Sequence, residues 1–196
     1  MARDFSGESS LNYVFRLLRF LKTRTRGRIY YLLRLFTKGT SSKICFGSGA
    51  EFINSKRMFF SENVSFGRMA KLECHRDNIT GKVGSISFGS RTSFGDYFHA
   101  SSCNEIIVGD DVLGSVGIML VDHNHGSAKD DVKSELPIPP RDRPLVSKGQ
   151  IKIGNGVWIG KGVMILSGVE IGDYSIIAAN TIVRRDIPAH TVYWGQ

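Results

Sequence analysis

The sequence predicts a mainly β protein, a parallel β-helix of six-residue repeats, with a short helical segment ahead of it. Three observations in residues 151–188 carry that prediction. Aliphatic residues recur at every sixth position: Ile153, Ile159, Ile165, Ile171, Ile177 and Val183. A companion series follows four residues after each of these, at Val157, Val163, Val169, Ser175, Thr181 and Ile187. Small residues follow the first series at Gly154, Gly160, Gly172 and Ala178. A period of six fits neither an amphipathic helix nor plain strand alternation. It is the signature of short stacked strands that each bury a residue and then turn a corner. Glycine suits such a corner, where a side chain would be crowded.

Residues 1–43 read as a separate, basic amphipathic segment. They hold ten of the 26 Lys and Arg but only two of the 18 Asp and Glu, so the net charge of +8 resides there. Leu11, Val14, Phe15, Leu18 and Leu21 have helical spacing, as do Ile29, Leu32, Leu33 and Phe36, with Gly27 between the runs. Basic residues interrupt both runs, and no apolar stretch approaches the ~20 residues of a membrane span. Two readings stay open. The helices pack on the β-helix or on a neighbouring subunit, or they lie on an anionic membrane, where each basic residue contributes on the order of 1 kcal/mol. No nucleic-acid-reading motif accompanies the charge. The odd cysteine count (Cys45, Cys74, Cys103), without C-x-x-C spacing, predicts free thiols, buried or partly so. With no signal-peptide pattern, a cytoplasmic protein is expected, peripheral at most to the inner face of the membrane.

The β-helix is expected over residues 44–196. Phe46 and Phe52 keep the period, then Phe60, Phe66 and Leu72 after a two-residue slip. Residues 75–85 read as an excursion. The ladder resumes at Phe88, Phe94 and Ala100, and a second slip leads to Val108, Gly114 and Leu120. Residues 121–150 break the repeat with a polar, proline-bearing loop. A loop of that length in a compact domain is usually functional, and it opens with Asp122-His123-Asn124-His125.

The repeat and its loop resemble the hexapeptide-repeat acyltransferases, most of all the sugar and polysaccharide O-acetyltransferases. The resemblance implies a left-handed β-helix with three hexapeptides per coil, a homotrimer, acetyl-CoA as acyl donor and a sugar hydroxyl as acceptor, in a capsule or O-antigen type of polysaccharide. It implies a histidine base, because an alcohol is a poor nucleophile at neutral pH and imidazole titrates near pH 6.5. Carried along from Val108-Gly109-Asp110-Asp111-Val112, the family pattern places that base on His125, with His123 as its rival; Asp122 or a backbone carbonyl is the candidate to orient the imidazole. The resemblance also sets Trp158 beside the pantetheine arm and the backbone of Gly160 and Lys161 at the thioester carbonyl. Ala178 and Ala179 would let the backbone approach the coenzyme, and Arg184 and Arg185 would pair with its phosphates. His99, Asp96 and Tyr97, with Asn124, would face the acceptor. No metal is required on this reading.

Other readings remain. H-x-H beside acidic residues can hold zinc, with His75 or His99 completing a set, as in carbonic anhydrases of the same fold. A serine or antibiotic acetyltransferase would share fold and donor. A non-catalytic scaffold would use neither histidine.

Overall fold

The computed structural model describes residues 43–77, 80–126 and 137–195. The helical segment expected before the β-helix lies outside these residues. So does the membrane contact expected of it. Among the described residues no helix is long and apolar enough to cross a membrane.

From Ile44 onward the chain winds through a left-handed parallel β-helix. The first coil holds β1 (Ile44–Phe46), β2 (Glu51–Ile53) and β3 (Met58–Phe60), and the second β4 (Val64–Phe66), β5 (Lys71–Cys74) and β6 (Ser85–Phe88). The third holds β7 (Ser93–Phe94), β8 (His99–Ser102) and β9 (Glu105–Val108). The fourth begins with β10 (Leu113–Gly114) and β11 (Met119–Val121). It then leaves the prism for the antiparallel pair β12 (Asn124–His125) and β13 (Leu145–Val146), and closes with β14 (Ile151–Ile153). The fifth holds β15 (Trp158–Ile159), β16 (Met164–Leu166) and β17 (Glu170–Ile171). The sixth has β18 (Ile176–Ile177) and β19 (Ile182–Val183), closes on the bridge between Ile187 and Ile171, and leads into β20 (Val192–Tyr193).

Stacked strands form three faces. Face one runs β1-β4-β7-β10-β15-β18-β20, face two β2-β5-β8-β11-β16-β19 and face three β3-β6-β9-β14-β17. Each hexapeptide leader points inward, and so does its companion: Ile153, Ile159, Ile165, Ile171, Ile177 and Val183 are buried, as are Val157, Val163, Val169, Ser175, Thr181 and Ile187. The early coils fill the same axis with phenylalanine. Phe46 stacks on Phe66 at 5.1 Å between ring centroids, Phe60 on Phe88 at 5.5 Å and Phe66 on Phe94 at 5.9 Å. Such contacts add to the burial of large apolar rings.

Corner glycines let successive coils approach. A side chain on Gly160 would sit 2.6 Å from the Ala179 nitrogen in the coil above. All three cysteines are free, and Cys74 and Cys103 are buried as expected. Cys45 departs from that expectation. It is exposed because the middle residue of β1 points away from the axis.

In the first four coils the extra residues gather at one corner, where face two passes into face three. The 3-10 turn Ser55–Arg57 lies there, as does the excursion after Cys74, a small hairpin closed by the bridge between Arg76 and Val83. Cys103-Asn104 and the long loop after Val121 lie there too. One edge of the prism is therefore elaborated, while the other two stay close to the bare repeat.

Candidate active site

Asp122 sits at the elaborated corner and is fully buried. Its Oδ1 accepts the backbone N–H of Cys103 at 2.8 Å, and its Oδ2 accepts the Ser102 hydroxyl at 2.6 Å and the Asn104 N–H at 3.0 Å. His123 Nδ1 lies 3.1 Å from the same Oδ1. With Asp122 accepting from all these donors, the His123 contact is a hydrogen bond from Nδ1–H to the carboxylate, which leaves Nε2 as the unprotonated nitrogen of the neutral ring. The His123 side chain is 9% exposed. His125 differs. It is exposed on β12, held by backbone pairing with Leu145, and no side-chain partner for it occurs among the described residues. Asn124 is exposed beside it, paired through its backbone with Val146.

A second polar group spreads across face two toward this corner. Glu73 Oε2 lies 2.9 Å from His99 Nε2, and its other oxygen lies 2.9 Å from Lys71 Nζ. Burial favours the protonated form of Glu73, but the hydrogen bonds from Lys71 and His99 outweigh it and hold the carboxyl below its ordinary range. His75 Nε2 stands 3.8 Å from Glu73, and the His75 ring meets the His123 ring edge-on, 5.6 Å between centroids. His99 is thus linked toward His123 through Glu73 and His75. Asp96 is engaged otherwise: it accepts the Arg68 guanidinium and the Arg68 backbone N–H, the latter at 2.7 Å, and these bonds lower its pKa. Tyr97 is exposed at the next corner position, with φ +61.

The residues expected to hold coenzyme divide between edges. Trp158 points outward on face one, 52% exposed, between Leu113 and Ile176 of the neighbouring strands. Gly160-Lys161 and Ala178-Ala179 stack at the corner between faces one and two. Two coils lower, Asp96 accepts the N–H of Arg68. The place above Lys161 is occupied by Ala179, whose side chain carries no acceptor, and among the described residues the Lys161 N–H has none. Arg184 and Arg185 fall on the elaborated corner instead, exposed, with the Arg185 guanidinium 5.7 Å over the Tyr193 ring.

Residues 150–185 match the bacterial transferase hexapeptide family, six repeats long. Over 143 residues the chain is 36% identical to WbbJ of Escherichia coli, named for O-acetyl transfer in lipopolysaccharide biosynthesis; the match covers 72% of this chain and 69% of WbbJ. The chain belongs to the hexapeptide-repeat acyltransferases. Galactoside O-acetyltransferase of Escherichia coli is 36% identical over 116 residues, and the match spans about half of that protein, 53% of its length against 56% of this chain. The hexapeptide-repeat acetyltransferase VCA0836 of Vibrio cholerae, solved with acetyl coenzyme A, has the same fold: TM-score 0.53 at 21% identity, over 95% of this chain and 85% of that one. A mutant of AntD, an N-acyltransferase from Bacillus cereus solved with dTDP and coenzyme A, gives 0.59 at 16% identity over 79% of each chain.

For an acetyltransferase of this family the histidine edge offers a ready base. Residues not foreseen from the sequence complete it: Ser102, Cys103 and Asn104 around Asp122, and Glu73 and Lys71 beside His99. Cys103, Asp122 and His123 also bring one ligand-type atom each within 4.8 Å of one another. The donor set fits a cation poorly. Donors already occupy both Asp122 oxygens, and burial, then the Asp122 charge, pushes the Cys103 thiol up to about 12, so it stays protonated.

Proposed function

We propose that this acetyltransferase moves the acetyl group of acetyl-CoA to a hydroxyl of a sugar belonging to a surface polysaccharide or its precursor, with His123 as general base. The observation that carries the reading is the buried Asp122 carboxylate bound to His123 Nδ1. It favours His123 over His125, the position reached by carrying the family pattern along the sequence. Nε2 takes the proton of the acceptor hydroxyl as its oxygen attacks the thioester carbonyl carbon. Asp122 stabilises the imidazolium formed. The tetrahedral oxyanion finds a donor in the Lys161 N–H, which has no acceptor among the described residues. Collapse breaks the carbon–sulfur bond, and the proton on His123 passes to the departing thiolate, giving coenzyme A and the acetyl ester.

Within one chain these parts do not meet. The four residue steps from Ile118 to Asp122 span about 13 Å at the ~3.3 Å rise of a parallel strand. Face two therefore separates the histidine edge from the corner of Gly160, Lys161, Ala178 and Ala179. A homotrimer that sets the histidine edge of one prism against the Trp158 edge of the next brings them together, with Arg184 and Arg185 available to the phosphates. His99, Tyr97 and Asn124 would then line the same groove, and Asp96 would brace it through Arg68.

The test is coenzyme A release with a panel of nucleotide sugars and oligosaccharides as acceptors. His123→Ala is expected to lower turnover at least ~100-fold, as loss of a general base does, with acetyl-CoA affinity by calorimetry unchanged. His125→Ala is expected to keep most activity. The reverse pattern overturns the assignment, and a stoichiometric divalent metal in the purified protein would favour the zinc reading instead.

A further inference from the structure

Between the two hairpins that rise from the His123 corner lies a cavity of about 790 Å³. The 76–83 hairpin supplies one wall, with Asp77, Thr80, Lys82 and Val83; β13 and Ser147 supply the other. Cys103, Asn104 and Glu105 form the floor, and Arg57 lies at its side. None of these residues was expected to touch the acceptor, and the volume falls within the roughly 300–1,000 Å³ of small-molecule sites.

The lining indicates a class of ligand. Arg57 and Lys82 are balanced by Asp77 and Glu105, so the cavity attracts neither strong anions nor strong cations. A polyphosphate would meet two carboxylates. A neutral polyhydroxylated molecule suits all four, because each hydroxyl donates to a carboxylate and accepts from a cationic or amide N–H. Val83, Leu145 and Val146 add an apolar strip for the C–H face of a sugar ring. The cavity adjoins the support of the proposed base: Cys103 and Asn104, which line it, donate their backbone N–H groups to Asp122, the partner of His123.

We infer that this cavity binds the acceptor, a neutral glycosyl unit held between the two hairpins, with one hydroxyl presented past Cys103 to His123. The inference rests on His123 as the base, but binding can be read without turnover. Saturation-transfer NMR on the full chain, with methyl glycosides of glucose, galactose, mannose, rhamnose and N-acetylglucosamine, measures it directly. At least one glycoside is expected to bind both the unaltered protein and His123→Ala. Val146→Trp, which fills the cavity, is expected to abolish that binding. Lys82→Ala, an exposed change that leaves the core untouched, is expected to weaken it about tenfold, the scale of one hydrogen bond to a charged group, and to raise the acceptor KM with kcat retained. If Val146→Trp does not fold, Lys82→Ala decides. The inference is overturned if no methyl glycoside binds, or if binding is undiminished in the foldable cavity variants. Unchanged turnover in His123→Ala would remove the base assignment alone and leave the binding result standing.

Discussion

Asp122 is a carboxylate surrounded by donors, and that decides what its replacement does. An asparagine has one oxygen and one NH2 group, so at least one donor among the Ser102 hydroxyl, the two backbone N–H groups and His123 Nδ1 would face another donor. A buried donor left unmade costs about 1–3 kcal/mol, and His123 loses the group that fixes its tautomer. Asp122→Asn is therefore expected to lower the melting temperature and to cut kcat by roughly 100- to 10,000-fold, measured by thermal unfolding and coenzyme A release. Glu73 makes a pH-dependent counterpart. Its pKa is lowered in the folded protein because Lys71 and His99 outweigh burial. Its contribution is then fully present above the ordinary glutamate value of about 4.3, and is lost as pH falls through the lower folded value. The melting-temperature advantage of the unaltered protein over Glu73→Gln is expected to hold from neutrality to about pH 5 and to close on further acidification. A gap that widens toward acid would contradict it.

At the scale of the element, Gly114 tests how the coils are filled. It holds an inward position of the ladder, where its neighbours carry Phe94 and Ile159. The Phe94 ring occupies the space that a side chain on Gly114 would enter, and an Ile118 methyl lies 2.9 Å from that point. Gly114→Val is therefore expected to destabilise by about 1–3 kcal/mol through overpacking, and Phe94→Leu to recover part of that loss, read as a coupling in a denaturant double-mutant cycle. Purely additive effects would show that the two do not share the space. The strands themselves were legible in the sequence because each inward residue reports alone: period six is visible at Ile153 or Phe66 without knowing what either touches. Gly114 was legible as a member of the ladder, though the reason a glycine suffices there was not, since it lies in Phe94, a residue of the coil below. The slips near Phe60 and Val108 were equally visible as counts. That they share one corner with the excursion and the long loop emerges only when strands are assigned to faces.

At the scale of the molecule, the candidate site was half legible. Asp122 and His123 stand out because they open the loop that interrupts the repeat, and Trp158, which sits in register inside the repeat, only through the family resemblance. Their partners do not, because stacking links residues whose separations follow the inserted lengths: 20 from Ser90 to Asp110, 45 from Asp110 to Asn155, 18 from Asn155 to Asp173. Ser102 and Glu73 give no local sign of being set beside Asp122 and His99. Nor does the sequence reveal that the His123 ring and the Lys161 N–H occupy opposite edges of one face. That division yields a sharp expectation. Ala179→Asp would place a carboxylate above the Lys161 N–H as Asp96 stands above that of Arg68, consuming the proposed oxyanion donor, and His123→Ala removes the proposed base. Each variant alone is expected to be nearly inactive. If every site takes its base from one chain and its donor from the next, reassembling the two variants in equal amounts leaves intact pairs in about a quarter of the sites, by random mixing around a cyclic oligomer. Recovery of about that fraction of unaltered turnover would support a site shared between subunits. Mixed oligomers with no recovery would place base and donor in the same chain, and the arrangement proposed for the two edges would then be wrong.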